Sequence, residues 1–212
     1  MSPASLTKMM TALVALESGR LDEVVTVSRA ASREAGSKLG LRPGEQLRAR
    51  DLLAAMVVRS ANDACRALAD HLGIGTVAKM NERALALGLR DTQFMDACGW
   101  DRPGQYSTAT DLARLAEQVM QNAYFARLAR SAEVSIATAN NRRKFTFTNT
   151  NALIGRYDGA IGVKTGTTGR AGHCLVAIAE RNGVRVLLVM LKARNRWWNA
   201  VGLLDRAFAA PL

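Results

Sequence analysis

The sequence opens with Ser2-Pro3-Ala4-Ser5-Leu6-Thr7-Lys8-Met9-Met10, and apolar residues continue at helical period through residue 17. The pattern predicts a buried helix over residues 4–17, and the proline suits its first turn because a missing N–H costs nothing there. Residues three apart on a helix lie about 5–6 Å apart at Cβ, so the Lys8 amine can reach the Ser5 hydroxyl. The stretch therefore predicts Ser5 as a nucleophile and Lys8 as its base.

The spacing of this serine and lysine is weak evidence when it stands alone. A chain with ten serines and six lysines contains Ser-x-x-Lys by chance on the order of 0.3 times. The positive end of the helix dipole would favour an alkoxide at Ser5 and a neutral amine at Lys8. The interpretation therefore depends on partner residues elsewhere in the chain.

Two further short motifs supply such partners. Ser60-Ala61-Asn62 stands at the predicted break between two helices, where a hydroxyl and an amide can project into a cleft. Lys164-Thr165-Gly166 ends a predicted strand, where a cation and a hydroxyl can line the cleft and Gly166 leaves room for substrate backbone. The three motifs in this order resemble Ser-x-x-Lys, Ser-Asp-Asn and Lys-Thr-Gly, the signature of penicillin-binding proteins and class A β-lactamases. Chance explains the ordered set poorly.

Longer segments extend the resemblance to essentially the whole chain. They are residues 3–11, Leu41-x-Pro43-Gly44-Glu45, Tyr106-Ser107-Thr108-Ala109-x-Asp111-Leu112 and residues 162–175. The chain thus resembles the low-molecular-mass penicillin-binding proteins, the serine-type D-alanyl-D-alanine carboxypeptidase family. Phe147-x-Asn149-Thr150-Asn151 and Ala171-Gly172-His173-Cys174-Leu175 resemble the D,D-endopeptidase branch of that family at least as well.

The resemblance implies acyl transfer on peptidoglycan stem peptides, without a cofactor or a metal ion. Ser5 would attack the D-Ala carbonyl while Lys8 accepts its proton, and β-lactams would acylate the same serine as covalent inhibitors. Ser60 would relay a proton to the leaving amine. Asn62 would hold the substrate amide and the network around Lys8.

The resemblance also assigns substrate contacts to the strand motif and to the last helix. Lys164 and Thr165 would orient the substrate and its carboxylate. Arg196 occupies the position of the family's carboxylate-binding arginine. Backbone N–H groups of Ser5 and Thr167 would form the oxyanion hole, whose donors are worth about 3–4 kcal/mol each in other enzymes.

Residue periodicity predicts the fold class. Predicted helices cover residues 4–17, 29–35, 50–58, 62–72, 75–87, 107–121, 124–130 and 196–209, and extended segments cover 24–28, 133–138, 145–148, 160–165, 173–180 and 184–191. Arg181-Asn182-Gly183 is a strong hairpin signal between the last two strands. The order predicts an α+β fold, an antiparallel sheet flanked by helices on both faces. The resemblance implies the DD-peptidase/β-lactamase-like transpeptidase fold.

The last predicted strand, residues 184–191, is apolar enough to be central, yet only one other strand is available to pair with it. Left open, it would be an aggregation-prone edge. We expect a missing N-terminal hairpin, another subunit or the final helix to cover it. Relatives carry two strands before the nucleophile helix, so we expect a truncated or mis-started chain, which a mature N-terminus at Met1 would contradict.

Length and composition predict one catalytic domain over residues 1–212, with no C-terminal β-domain after Leu212. No run approaches the roughly 18 apolar residues of a membrane span. The N-terminus lacks the basic and apolar regions of a signal peptide, although the resemblance implies a periplasmic or extracytoplasmic location. Export would therefore require that the chain has lost its beginning. The oligomeric state stays open.

The formal charge of +11 comes mostly from arginine and would attract polyanions. Nucleic acid is disfavoured because aromatics are only 5% and the arginines are scattered, whereas a carboxylate-bearing polymer fits the charge. We predict no nucleic-acid partner. The densest basic patch, Asn140-Asn141-Arg142-Arg143-Lys144-Phe145, is expected to be a solvated loop.

The three cysteines are too few and too far apart for a zinc framework, and an odd count cannot fully pair. Cys65 and Cys174 are expected to be small core residues, and Cys98 to lie in an exposed loop. How they pair is left open. With only His71 and His173, the sequence predicts no metal site.

Three other functions compete with a D,D-carboxypeptidase. A D,D-endopeptidase would use the same residues on cross-linked peptides. A β-lactamase would need an efficient deacylating water, and the middle of the chain has no Glu-x-x-x-Asn to hold one. A non-catalytic binder of cell-wall polymer or polyanions would use only the charge. A Ser-His-Asp hydrolase is disfavoured because no Gly-x-Ser-x-Gly occurs.

Overall fold

The first helix of the chain lies at the centre of the fold. The computed structural model describes residues 1–210, and in it a 3₁₀ turn at Ala4–Thr7 leads into α1, Lys8–Glu17. The first eight residues of α1 are all buried, so this helix contacts neighbours around its whole circumference. The predicted buried helix is confirmed, with a tighter first turn.

The remaining predicted elements occur in the predicted order, with ends that differ by a few residues, and one short strand over residues 46–48 was not predicted. The other helices are α2 (Arg29–Ser32), α3 (Ala49–Val58), α4 (Asn62–Leu72), α5 (Thr76–Ala86), α6 (Ala109–Met120), α7 (Ala123–Arg130) and α8 (Arg196–Ala209). The strands are β1 (Val24–Thr26), β2 (Gln46–Arg48), β3 (Glu133–Ala137), β4 (Lys144–Thr148), β5 (Ala160–Thr168), β6 (Gly172–Arg181) and β7 (Val184–Ala193).

The main sheet has the antiparallel order β5-β6-β7, and β1-β2 and β3-β4 form separate two-stranded antiparallel sheets. Asn182 and Gly183 both adopt positive φ, 51° and 79°, as the predicted hairpin turn requires. Ala200 and Leu204 of α8 pack on one sheet face, while α6 and the main core cover the other. Helices on both faces of an antiparallel sheet confirm the predicted α+β class.

Strand β7 pairs with β6 along one edge, and within residues 1–210 no strand pairs with its other edge. Most residues of β7 are only partly buried. Helix α8 packs on a face of the sheet, and its cover of the free edge stays a prediction. A preceding hairpin and a second subunit stay as predictions. The predicted absence of a β-domain after Leu212 concerns a region outside the described residues.

The basic patch forms the turn between β3 and β4. Arg143 pairs with Glu45 and lies 4.6 Å from the centre of the Phe145 ring, and Asn141 has a positive φ of 58°. The patch is therefore partly folded onto the body of the protein, while Arg142 is exposed. No helix among the described residues has the length and apolar character to cross a membrane.

Candidate active site

Ser5 and Lys8 meet where the 3₁₀ turn enters α1. The Lys8 Nζ donates to Ser5 Oγ over 2.9 Å. Ala4, just before the serine, adopts a left-handed φ of 49°, a conformation that costs a non-glycine residue about 1–3 kcal/mol and is found at functional sites. The strained turn aims the serine hydroxyl at the amine, as the three-residue spacing predicts.

The amine of Lys8 is buried and has three acceptors. Besides the serine, Nζ donates to Asn62 Oδ1 over 2.8 Å and to the carbonyl oxygen of Cys98, which uses the three donors of the protonated amine. Burial lowers the Lys8 pKa to about 7, while the carboxylates of Asp96 and Glu34 act in the opposite direction. Near neutral pH this amine can therefore both take up and release a proton.

The second motif lies at the break between α3 and α4. Ser60 adopts a left-handed φ of 59°, and Asn62 is the first residue of α4. The Asn62 side chain donates to the Ala35 carbonyl over 2.8 Å, and its backbone N–H donates to the Ser37 carbonyl over 2.7 Å. These bonds orient the amide so that its oxygen faces Lys8.

Lys164 on β5 joins the strand side of the cleft to the helical side. Its Nζ donates to Ser60 Oγ over 2.8 Å and to the Thr165 carbonyl over 3.0 Å. Burial holds the Lys164 pKa well below its usual value, and the nearby cations Lys8 and Arg196 lower it further. This lysine therefore fixes the Ser60 hydroxyl in a positively charged neighbourhood.

Gly166 lies against the nucleophile turn. A Cβ at this position would stand 3.1 Å from both the Ala4 Cβ and the Ser5 nitrogen. We expected this glycine to make room for substrate backbone; the chain's own turn already needs that room. The neighbouring Thr165 contacts Thr150, the two hydroxyl oxygens lying 2.7 Å apart.

Arg196, the first residue of α8, is anchored at the end of β5. Its Nη1 donates to the carbonyls of Gly166 and Cys174, each over 3.0 Å, and to Thr167 Oγ1 over 3.3 Å. Its Nε is buried without a partner among the described residues. Arg196 therefore lies beside the strand motif with donor capacity left, and its contact with a substrate carboxylate stays a prediction.

A family model described as D-alanyl-D-alanine carboxypeptidase matches residues 1–195. The chain belongs to this family. Membership confirms the resemblance to the D-alanyl-D-alanine carboxypeptidase family. A D-alanyl-D-alanine carboxypeptidase of Bacillus subtilis is 36% identical over 221 residues, covering 99% of this chain and 56% of the relative. One of Mycobacterium tuberculosis is also 36% identical, covering 98% of this chain and 74% of the relative.

Solved structures of the same family share the fold. The crystal structure of a Streptomyces DD-transpeptidase is similar with a TM-score of 0.92 at 33% identity, covering 99% of this chain and 88% of that one. A D-alanyl-D-alanine carboxypeptidase of Mycobacterium tuberculosis matches with a TM-score of 0.91 at 34% identity, covering 99% and 83%. The predicted DD-peptidase fold is confirmed. The chain spans little more than half the length of the Bacillus relative.

The expectation for Cys98 was wrong, and that for Cys65 was incomplete. Cys65 and Cys98 form a disulfide across 33 residues of sequence, and both are buried. Cys98 is therefore not an exposed loop residue, because the bond draws its loop onto α4. Cys174 is free and buried, as expected. No local sequence pattern predicts this disulfide, because only the packing of the loop on α4 brings the two sulfurs together.

Two carboxylates that the motifs did not indicate organise the loops around the cleft. Asp96 Oδ1 accepts the backbone N–H groups of residues 98, 99 and 100 over 2.7–3.0 Å. Asp101 accepts from Ser2 Oγ, Thr168 Oγ1 and the Arg170 N–H, which ties the N-terminal segment to the end of β5. An aspartate close to a glycine is a weak sequence hint of such turns.

Within residues 1–210 no three His, Cys, Asp or Glu side chains are grouped so as to hold a metal ion. The cleft instead offers hydroxyls, amines and an amide. Ser5 with Lys8 can perform nucleophilic attack, and Ser60 with Lys164 can pass on a proton.

Proposed function

We propose that the protein is a penicillin-sensitive serine D,D-carboxypeptidase that removes the terminal D-alanine from peptidoglycan stem peptides through an acyl-enzyme at Ser5. The observation that carries the proposal is the buried Lys8 amine, 2.9 Å from Ser5 Oγ and with a pKa of about 7. Such an amine is a competent base at neutral pH. Family membership supports the substrate class.

In acylation, Ser5 Oγ attacks the carbonyl carbon of the penultimate residue and its proton moves to Lys8 Nζ. The C–N bond to the terminal D-alanine then breaks, and Ser60 relays the proton from Lys8 to the leaving amine. The Ser60 hydroxyl is free to donate because its oxygen accepts from Lys164. Water afterwards hydrolyses the ester, and Ser5 regains its proton.

Asn62 would hold both the substrate amide and Lys8 in this reaction, and the backbone N–H groups of Ser5 and Thr167 would form the oxyanion hole. The terminal carboxylate would meet Thr165 and Arg196. The contact between Gly166 and the Ser5 nitrogen supports this arrangement, since it holds the nucleophile turn against the strand.

A cationic groove outside the cleft supports a substrate with several carboxylates. Lys38, Arg59 and Lys144 line a groove of about 510 Å³ together with one carboxylate, Glu133, and within residues 1–210 none of the three cations forms an ion pair. Arg59 directly precedes Ser60. We propose that the groove receives carboxylates of the stem peptide beyond the scissile bond.

We propose an extracytoplasmic location, because peptidoglycan lies outside the cytoplasmic membrane. The disulfide supports this proposal, since such bonds persist in oxidising compartments. The absence of a nucleic-acid partner stays a prediction.

The proposal is tested by labelling with a fluorescent penicillin. Wild-type protein and Ser32→Ala, a change at a partly exposed serine on α2, should be labelled, whereas Ser5→Ala should lose labelling by roughly 10⁴-fold or more. Equal labelling of Ser5→Ala and wild type, or no labelling of either, would contradict the proposal.

Digestion of purified muropeptides with mass spectrometry then identifies the reaction. Loss of one alanine per peptide is the expected product. Conversion of cross-linked dimers to monomers would instead identify a D,D-endopeptidase. Rapid nitrocefin hydrolysis would identify a β-lactamase.

A further inference from the structure

Two acceptors of the Lys8 amine come from segments that are distant in sequence. Asn62 begins α4, and the Cys98 carbonyl lies in the loop between α5 and α6. Cys65 lies one helical turn after Asn62 and is bonded to Cys98. One covalent link therefore joins the two segments that hold the base.

We propose that the Cys65–Cys98 disulfide is a positioning device that keeps the Lys8 amine oriented and dry. It fixes the separation between the Asn62 side chain and the Cys98 carbonyl, and the amine is held between them. The proposal rests on the proposed role of Lys8 as the base of acylation.

The other bonds of the loop do not replace this link. Asp96 accepts three N–H groups, but all belong to its own loop, so they shape the turn without attaching it to α4. Four other attachments of the loop lead to elements other than α4. Thr11 Oγ1 donates to the Ala97 carbonyl over 2.5 Å, and Trp100 Nε1 donates to Glu34 over 3.1 Å. The Asn81 side chain bonds the Phe94 backbone, and Asp101 accepts from the N-terminal segment and the end of β5. The first two contacts lead to α1 and to the segment after α2, and the third leads to α5.

Space for water lies directly outside the disulfide. A cavity of about 370 Å³ is bordered by Cys98, Asp96 and Glu34, and also by residues of α4 and α5. Cys98 is buried, borders this cavity and accepts from the Lys8 amine through its carbonyl, so one residue contacts both the cavity and the amine. If the loop were released from α4, water from this cavity would reach the Lys8 amine.

The direction in which the Lys8 pKa would change without the disulfide follows from the cause of its present lowering. Burial is the main cause, so hydration of the amine raises its pKa. The charged groups around it are Asp96 and Glu34 on the loop side and Lys164 on β5. A rise of about one unit from about 7 would cut the neutral fraction at pH 7 from about one half to about one tenth.

The test removes the disulfide in two ways. Cys65→Ala/Cys98→Ala deletes both sulfurs, and Cys65→Val/Cys98→Ala refills part of their volume, so one variant should fold if the other does not. Leu204→Ala, in the core between α8 and the sheet, is the control for lost stability without a change at Lys8. For each protein, the folded fraction and the rate of penicillin acylation are measured from pH 5 to 9.

We expect both disulfide-free variants to be acylated about fivefold more slowly at pH 7, with the midpoint of the pH profile about one unit higher. Leu204→Ala should keep the wild-type midpoint. An unchanged midpoint in the folded disulfide-free variants, or a loss matched by Leu204→Ala at equal folded fraction, would overturn the proposal.

A second readout separates this proposal from the proposed function. With only six lysines, ¹³Cε labelling resolves Lys8, which is assigned by its absence in Lys8→Ala. If wild-type protein is not acylated, the proposed function fails, and the Lys8 pKa measured by NMR still decides the role of the disulfide. A higher Lys8 pKa without the bond supports it, and an unchanged pKa refutes it.

Discussion

The two sides of the cleft each carry a buried lysine, and the comparison shows how neighbours differentiate them. On the helical side, Lys8 faces the carboxylates of Asp96 and Glu34 and donates to three acceptors. On the strand side, Lys164 faces the cations Lys8 and Arg196 and donates to Ser60 and to a carbonyl. Burial is nearly complete for both lysines.

Burial lowers the pKa of both lysines, so the sign of the nearby charges makes the difference. The carboxylates around Lys8 hold its pKa at about 7, where it can exchange a proton with Ser5. The cations around Lys164 act in the same direction as burial, and its bond to Ser60 makes it a positioning group. The same residue type is therefore suited to two tasks.

The largest expected effect distinguishes the role of Lys8 as a proton acceptor from its role as a positive charge. Lys8→Ala should slow penicillin acylation by about 10³–10⁴-fold, because the Ser5 proton loses its acceptor. Lys8→Arg should be as poor, since a guanidinium keeps the charge but cannot accept a proton. The second-order rate of labelling measures both. Substantial activity in Lys8→Arg would mean that charge alone suffices.

Lys164 should respond differently to the same pair of changes. Lys164→Ala should slow acylation by about 10²-fold, because the Ser60 hydroxyl loses its donor. Lys164→Arg should recover part of this loss, since a guanidinium can still donate to Ser60 Oγ. The same labelling assay applies, and equal inactivity of the two variants would remove the contrast with Lys8.

A substitution at Arg196 tests the proposed contact with the terminal carboxylate of the substrate. Arg196→Gln should raise KM about 10-fold for a peptide with a free terminal carboxylate, because a charge-assisted hydrogen bond is lost. The corresponding peptide amide serves as the control and should show little change. A similar loss for acid and amide would mean that Arg196 acts through the fold of β5.

The cationic groove extends the test beyond the cleft. A triple variant, Lys38→Gln/Arg59→Gln/Lys144→Gln, should cut kcat/KM for muropeptides by about 3- to 10-fold, since each exposed charge contributes little. Acylation by a small penicillin should stay unchanged. Lys79→Gln, beside a different cavity, is the control. Equal losses in muropeptide hydrolysis and in penicillin acylation would mean that the groove does not bind substrate.

The smallest effect is a shift in pH dependence. Since only the neutral Lys8 amine accepts a proton, acylation should rise with pH through about 7 and then level off. Asp96→Asn keeps an oxygen for the loop N–H groups but removes the charge that raises the Lys8 pKa, so the midpoint should move down by less than about one unit. A midpoint that stays or rises would exclude Asp96 as the cause.

Local features of this chain were predictable because they depend on neighbours in sequence. The period of residues 4–17, the Asn182-Gly183 turn and the three-residue spacing of Ser5 and Lys8 all act within one element. The order of the motifs was enough to indicate the family, and the order of helical and extended segments was enough to indicate the α+β class.

Contacts between distant segments were decided only by the tertiary structure. Three contacts join residues more than 30 positions apart in sequence. They are the Cys65–Cys98 disulfide, the hydrogen bond from Lys8 to the Cys98 carbonyl, and the close approach of Gly166 to the turn at Ser5. The pKa of Lys8 depends on burial and on carboxylates brought in by loops. The sequence by itself determined which groups the cleft contains. Their electrostatic environment depended on packing, because desolvation and charge act through space rather than along the chain.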